Sequence, residues 1–300
     1  MTTQAEGLSD AIKPSPTDPV QRRSVRCRKI EAQDLDALAL LLAQGFPVRD
    51  AASWRASLER IHAWTKAEAL PGMGFVLAEG DRLVGSLLTV YAAGGRRCSV
   101  SSWYVAEGYR RYSMTLVSAA LRDRSVIYLN ISAERYTAPI IKAQGFVCYN
   151  EGVALAAPLL ALPRFGGAEV LWETPDGAFD LDPAEVALME HHRRLGCVAF
   201  WCLTGGKAYP FVVARRMVRG RLPIAQVIYC AAETDWRLLS PAIGRALARH
   251  GLFLLVLDAN GPVPGLPSRF LPGRMPKYFR GTQAPRLGDL AYTEAALIGT

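Results

Sequence analysis

Little in this chain suits metal or redox chemistry. Its 300 residues include four histidines and six cysteines. The cysteines, at 27, 98, 148, 197, 202 and 230, form no C-x-x-C pair and no zinc-binding spacing with histidine. They lie in apolar, strand-like runs, where a free thiol behaves as a small hydrophobe, so buried reduced cysteines and no metal site are expected. The chain also lacks the run of roughly 18 to 20 apolar residues that a membrane helix needs; its apolar runs are short, as at Leu252 to Leu257. No membrane span is expected. The opening residues, with Gly7, Pro14, Pro16 and Pro19 among polar neighbours, lack the apolar centre of a secretory signal. They read as a flexible tail over 1–23, and the protein as cytoplasmic.

What is present is enough apolar material for folded cores. Hydrophobic residues make up 50% and charged residues 21% of the chain, which excludes disorder for the body. The length suggests two domains, on a prior of roughly 100 to 200 residues for each. A net charge of +8 fits nucleic acid, an anionic membrane surface or a phosphate-rich small molecule, and charge alone does not choose between them. Arginines 22, 23, 26 and 28 form a basic run of the kind usually found on a solvated face. Nucleic acid is therefore not expected as a partner.

Ser24 to Ile30 alternates as an edge strand does. Leu35, Leu38 and Leu42 recur at helical spacing up to Gly45, and Trp54, Leu58 and Ile61 mark a second helix. Phe75 to Ala78 and Leu83 to Tyr91 flank Gly80-Asp81 as a hairpin, and Cys98 to Val105 is a third extended run. A helix is predicted from Ser113, a strand over 126–131, a helix over 138–143, and a strand after Gly145. Residues 157–168, with Pro158, Pro163 and Gly166-Gly167, are rich in turn formers and read as a linker. Domains are thus expected at 24–156 and 169–300. In the second, helices are predicted over 183–195 and 240–250. Strands are predicted at 197–203 and 209–217 around Gly205-Gly206, and at 222–231, 252–257 and 290–298. The order helix, hairpin, strand, helix, strand recurs at a separation of roughly 125 residues, without residue identity.

One segment carries a mechanism. Trp103-Tyr104-Val105-Ala106-Glu107-Gly108-Tyr109-Arg110-Arg111-Tyr112-Ser113-Met114-Thr115 runs from a strand through a turn into a helix. A helix N-terminus offers unpaired N–H groups and partial positive charge, and two arginines add to it. Pyrophosphate suits such a site because its oxygens accept many charge-assisted bonds at once. The segment resembles the acyl-CoA site of the GNAT acyltransferase superfamily, a strand with an apolar-x-x-x-aromatic-Arg pattern leading through a glycine-rich turn into a helix. Val105, Tyr109 and Arg110 stand in those places, and the resemblance runs from about residue 24 to Gly145-Phe146 and on to about 150.

The resemblance implies a mixed α/β fold with a mostly antiparallel sheet flanked by helices, duplicated in the second half. It implies acetyl-CoA or another acyl-CoA as co-substrate. Trp103, Tyr104 and Val105 would give backbone groups to the pantetheine arm, with Asn130 either facing it or making a strand-end hydrogen bond, and Arg110, Arg111, Tyr112, Ser113, Met114 and Thr115 would hold the pyrophosphate. The acceptor would be a small-molecule or peptide amine, or a hydroxyl, and the protein a monomer or homodimer.

The chain departs from the pattern at two points. Arg111, Ser113 and Thr115 replace the family's glycines, which makes close backbone approach harder, although Ser113 is placed to cap the helix. The tyrosine that often protonates the leaving thiolate is replaced by Ile141. Tyr136 is a substitute only if its helix is displaced, and half-buried packing is its plain reading. Cys98 to Ser102 holds no acid, so a general base must come from Glu107, Glu134 or a carboxylate elsewhere in space. Cys98 has no histidine nearby and reads as structural.

Elsewhere, His191-His192 reads as a surface or interface pair. Arg269, Arg274, Lys277 and Arg280 with Tyr278 and Phe279, among Pro264, Pro267, Pro272 and Pro276, read as an ordered loop over a cleft between the halves. Besides an acyltransferase, a non-catalytic GNAT-like binding protein and a protein using RNA or aminoacyl-tRNA remain open.

Overall fold

The computed structural model describes residues 24–134, 137–161, 167–177, 179–218 and 220–299. The expected tail, 1–23, lies outside the described residues. The first half runs β1 (Val25–Lys29), α1 (Leu35–Gly45), α2 (Ala51–Ala67), β2 (Gly74–Glu79), β3 (Arg82–Tyr91), β4 (Arg97–Val105), α3 (Ser113–Ala120), β5 (Ile127–Asn130), α4 (Ala138–Ala143) and β6 (Val147–Ala156). The second runs β7 (Glu169–Leu171), α5 (Pro183–Arg194), β8 (Val198–Thr204), β9 (Lys207–Val218), β10 (Leu222–Cys230), α6 (Trp236–Arg249), β11 (Leu255–Ala259), β12 (Ser268–Arg280) and α7 (Glu294–Leu297). Local chemistry sets several boundaries: the side chains of Asp50, Asp182 and Asp235 cap α2, α5 and α6 by accepting from backbone N–H groups.

All twelve strands form one sheet in the order β1-β2-β3-β4-β5-β12-β6-β11-β10-β9-β8-β7. Neighbours are antiparallel except β4 with β5 and β10 with β11, which run parallel. The mixed, mostly antiparallel α/β sheet expected from the sequence is present. Its centre holds an exchange. The last strand of the second half, β12, lies against β5 of the first, while β6 of the first half lies against β11 of the second. The two exchanged strands pair with each other.

Alternate residues of a strand face opposite sides of a sheet, and β3 shows the result. Leu83, Leu88 and Val90 join a core with α1, α2, Met189 of α5 and residues 290–298. Val84, Leu87 and Tyr91 join a core with α3 and α4. The first of these cores spans both halves. Trp64 of α2 stacks on Tyr292 and on His191, at 4.7 and 4.3 Å between centroids.

Three expectations are corrected. Residues 268–280 are not a loop but a strand in the middle of the sheet. Their prolines sit where β12 leaves register, between Pro272 opposite Gly152 and Lys277 opposite Asn150, so no ladder bond is lost in a regular run. Residues 290–298 are not a strand but a turn followed by the short helix α7. His192 is not a surface residue: it is fully buried, with its Nδ1 on the Leu188 carbonyl and its Nε2 accepting from Tyr292 N–H. That arrangement requires neutral imidazole, and burial lowers its pKa to about 4.

Candidate functional site

β4 and β5 run together for only three residue pairs, Arg97 with Ile127, Cys98 with Tyr128, and Ser99 with Leu129. Beyond these they separate as β4 bulges against β3, since Ser101 faces Leu88 and Tyr104 faces Ser86, leaving Ser102 and Trp103 opposite Leu87, while β5 stays paired on its other edge with β12 as far as Asn130. Ser102 takes φ of +52°, the left-handed conformation such an extra residue needs. The result is a V-shaped opening walled by 101–105 and 130–134. Past Ser99, the cleft edge of β4 has no strand partner among the described residues.

Side chains lock the β4 wall from both faces. The ring of Tyr104 covers the end of α1, where a Cβ at Gly45 would lie 2.4 Å from it, and meets Phe46 edge-on. Trp103 and Val105 pack toward α3 on the other face. Side chains thus hold the wall on both faces, and its edge toward the opening is backbone.

The strand leads into a 3-10 turn over Glu107–Tyr112 and then α3. Tyr109 fastens the turn by donating its hydroxyl to Glu79 at 2.7 Å. Arg110 and Arg111 are exposed, with Arg111 lying over the Tyr112 ring at 4.8 Å. Arg110 joins none of the ion pairs among the described residues. Ser113 does not cap the helix: it is the first residue of α3, and its N–H donates back to the Arg110 carbonyl. In place of glycine, this turn satisfies part of its own hydrogen bonding. Met114 and Thr115 follow in the exposed first turn of α3, whose N-cap, Tyr112, makes no side-chain capping bond.

Of the candidate acids and bases, Glu107 lies exposed in the 3-10 turn, and Glu134 is exposed beyond β5. Tyr136 falls outside the described residues. Ile141 is buried in the α3 core, so no donor stands there. Cys98 is buried as well, and burial pushes its thiol well above its usual pKa, which makes it a poor nucleophile.

The structure adds a group that the sequence reading did not single out. Glu294 of α7 reaches the vertex of the V, where its Oε2 accepts from Ser99 Oγ at 2.5 Å and its Oε1 from Ser132 Oγ at 2.9 Å. It is 5% exposed, and burial raises its pKa. The available signal was a lone carboxylate inside a mostly apolar run, Ala291 to Ile298. The segment that carries it is anchored by Arg49 and Arg60, whose guanidinium groups donate to carbonyls of residues 297 to 299.

The second half repeats the opening in altered form. β10 and β11 pair only at Ala225 with Leu255 and Gln226 with Val256, and β10 bulges at Ile228. Here the chain lines the edge itself: Leu290 N–H donates to Ile228 and Cys230 N–H to Gly288, at 2.7 and 3.0 Å. A cavity of about 270 Å³ remains, lined by Cys230, Thr234, Trp236 and Asn260 among others. Among the described residues, no cluster of three or more potential metal ligands occurs, and no helix is long and apolar enough to cross a membrane.

No family model and no curated protein sequence matches the chain. Solved structures do. A GCN5-related N-acetyltransferase from Anabaena variabilis is similar over 86% of this chain and 72% of its own, with a TM-score of 0.57 at 11% identity. A GCN5-related N-acetyltransferase from Kribbella flavida is similar over 87% and 72%, with a TM-score of 0.54 at 16% identity. A tandem GNAT protein from the clavulanic acid biosynthesis pathway is similar over 88% of this chain and all of its own, with a TM-score of 0.53 at 14% identity.

Proposed function

On the duplicated GNAT superfamily fold that this chain adopts, we propose an acyl-CoA-dependent acyltransferase that moves the acyl group to an amine, or to a hydroxyl. The observation that carries this reading is the divergence of β4 from β5 directly before a basic strand-to-helix turn. A pantetheine arm laid in the V would meet backbone groups of Trp103, Tyr104 and Val105 on one wall and Asn130 on the other. Arg110 and Arg111, with Tyr112, Met114, Thr115 and the hydroxyl of Ser113, would hold the pyrophosphate. Rate acceleration would come from holding acceptor and thioester in line and from backbone donors aimed at the carbonyl oxygen. The acyl chain is acetyl or longer, and the acceptor a small molecule or peptide. The working halves are 24–156 and 169–300, joined by 157–168, in a monomer or homodimer. All six cysteines are free, which suits a reducing compartment and a cytoplasmic site of action.

A binding-only protein is favoured by one observation, the buried Ile141 at the place where a proton donor is expected. Calorimetric titration with acetyl-CoA and longer acyl-CoAs, followed by assay of thiol release with a panel of amines, separates the two. Binding with thiol release is the expected result. Absence of binding overturns the acyl-CoA reading, and binding without thiol release for any amine favours the binding-only protein.

A further inference from the structure

We propose that Ser132 and Glu294 form the proton relay of the acyl-transfer step, with the second half supplying the base that the first half lacks. This rests on the acyltransferase reading above.

Three observations carry it. Glu294 bridges the two strands at the point where they part, through Ser99 on β4 and Ser132 just beyond β5. Ser132 is exposed on the wall of the V, whereas Ser99 and Glu294 are buried, so the serine connects a sealed carboxylate to the opening. β4 itself carries no acid between Cys98 and Val105. A carboxylate deprived of water holds a proton more tightly than an exposed one, which makes it the stronger base. Burial raises the Glu294 pKa, and Lys277 of β12 opposes the shift. The other titratable groups that sense it are Cys98 of β4 and Tyr149 of β6. Arg49 and Arg60 hold backbone carbonyls at the far end of the segment.

The step balances. As the acceptor nitrogen bonds to the thioester carbon, its proton passes to Ser132 Oγ. The serine's own proton moves to Glu294 Oε1, giving a neutral glutamic acid and an intact serine. The C–S bond breaks with its electron pair on sulfur. The proton then returns through Ser132 to the thiolate, a donor role that Ile141 cannot fill.

The test uses the full chain, with acetyl-CoA binding and thiol release measured across pH for the wild type, Glu294→Gln and Ser132→Ala. Expected is a loss of about 100-fold in kcat for Glu294→Gln, with the acidic limb of the kcat/KM profile removed and acetyl-CoA affinity unchanged within about twofold. Ser132→Ala should show the same changes at smaller size. Because Ser132 is exposed, its variant reports even if Glu294→Gln fails to fold. Unchanged kcat and an unchanged acidic limb in the variants overturn the relay while the acyltransferase stands. A wild type that binds no acyl-CoA, or binds it without releasing thiol, removes the reaction itself and overturns both.

Discussion

The two clefts of this sheet share a design and differ in what faces them. In each, a parallel pair of strands parts after two or three residues, a bulge follows, and a helix starts close by. In the first half the following turn carries Arg110 and Arg111, and α3 has no acidic cap. In the second, Asp235 caps α6 by accepting from Arg237 N–H, Glu233 stands beside it, and residues 288–290 lie along the β10 edge. A carboxylate at a helix N-terminus occupies the anion position, and a backbone strap occupies the strand edge. The strand edge and helix start are thus left open to a ligand in the first half and are partly occupied by the chain itself in the second. The same terminal segment joins them: Asp289 pairs with Arg97 of β4 through two bonds of 2.6 and 3.0 Å, and Glu294 follows at the V.

If the halves differ in ligand but share one folding unit, the largest effects should arise where they meet. Lys277 of β12 is fully buried and donates to Asp258 of β11 at 2.6 Å. Lys277→Met leaves that carboxylate buried without its partner and should cost about 3–5 kcal/mol in a single unfolding transition. The double variant Lys277→Met/Asp258→Leu should recover most of it. Two separate transitions in chemical denaturation would show the halves to be independent.

The next effect concerns His192, at the contact of α5 with the terminal segment. Its folded pKa of about 4 lies below the ordinary 6.5, so the unfolded chain binds the extra proton first as pH falls. Stability is therefore full above about pH 6.5 and declines toward pH 4, by on the order of 3 kcal/mol. Melting temperatures between pH 7 and pH 4 should fall accordingly, and His192→Gln should flatten part of that slope. Gly288 tests the strap itself. It has φ of +76°, and a Cβ there would lie 2.7 Å from Cys230 Sγ. Gly288→Ala should cost about 1–2 kcal/mol in denaturant titration without changing acyl-CoA affinity. The smallest effect is at the exposed turn, where Arg110→Ala should weaken acetyl-CoA binding about tenfold at low salt and less at high salt, as screening requires.

Most of the first half was legible because its strands alternate and its helices keep a 3.6-residue period. β1 to β6 lie where alternation and turn residues place them, and α3 starts at Ser113. β12 was hidden because Pro272 and Pro276, with four basic residues between 269 and 280, read as loop chemistry. What makes them tolerable is a departure from register that only the partner strand reveals. Residues 290–298 failed for a different reason. Every residue there is buried, and a segment buried on all sides carries no period to tell helix from strand. Hence Glu294, brought to Ser99 across nearly two hundred residues, was open only as a carboxylate elsewhere in space. The exchange of β6 and β12 has no local signature at all, since each strand satisfies the same alternation in either sheet position.

Native mass spectrometry of the full chain, with acetyl-CoA near the concentration that half-saturates the wild type, addresses the central contrast directly. One ligand per chain, lost or weakened in Arg110→Ala and retained in Asp235→Ala, is the predicted result. Two ligands per chain, or one that persists at wild-type occupancy in Arg110→Ala, would contradict the assignment of ligand binding to the first cleft.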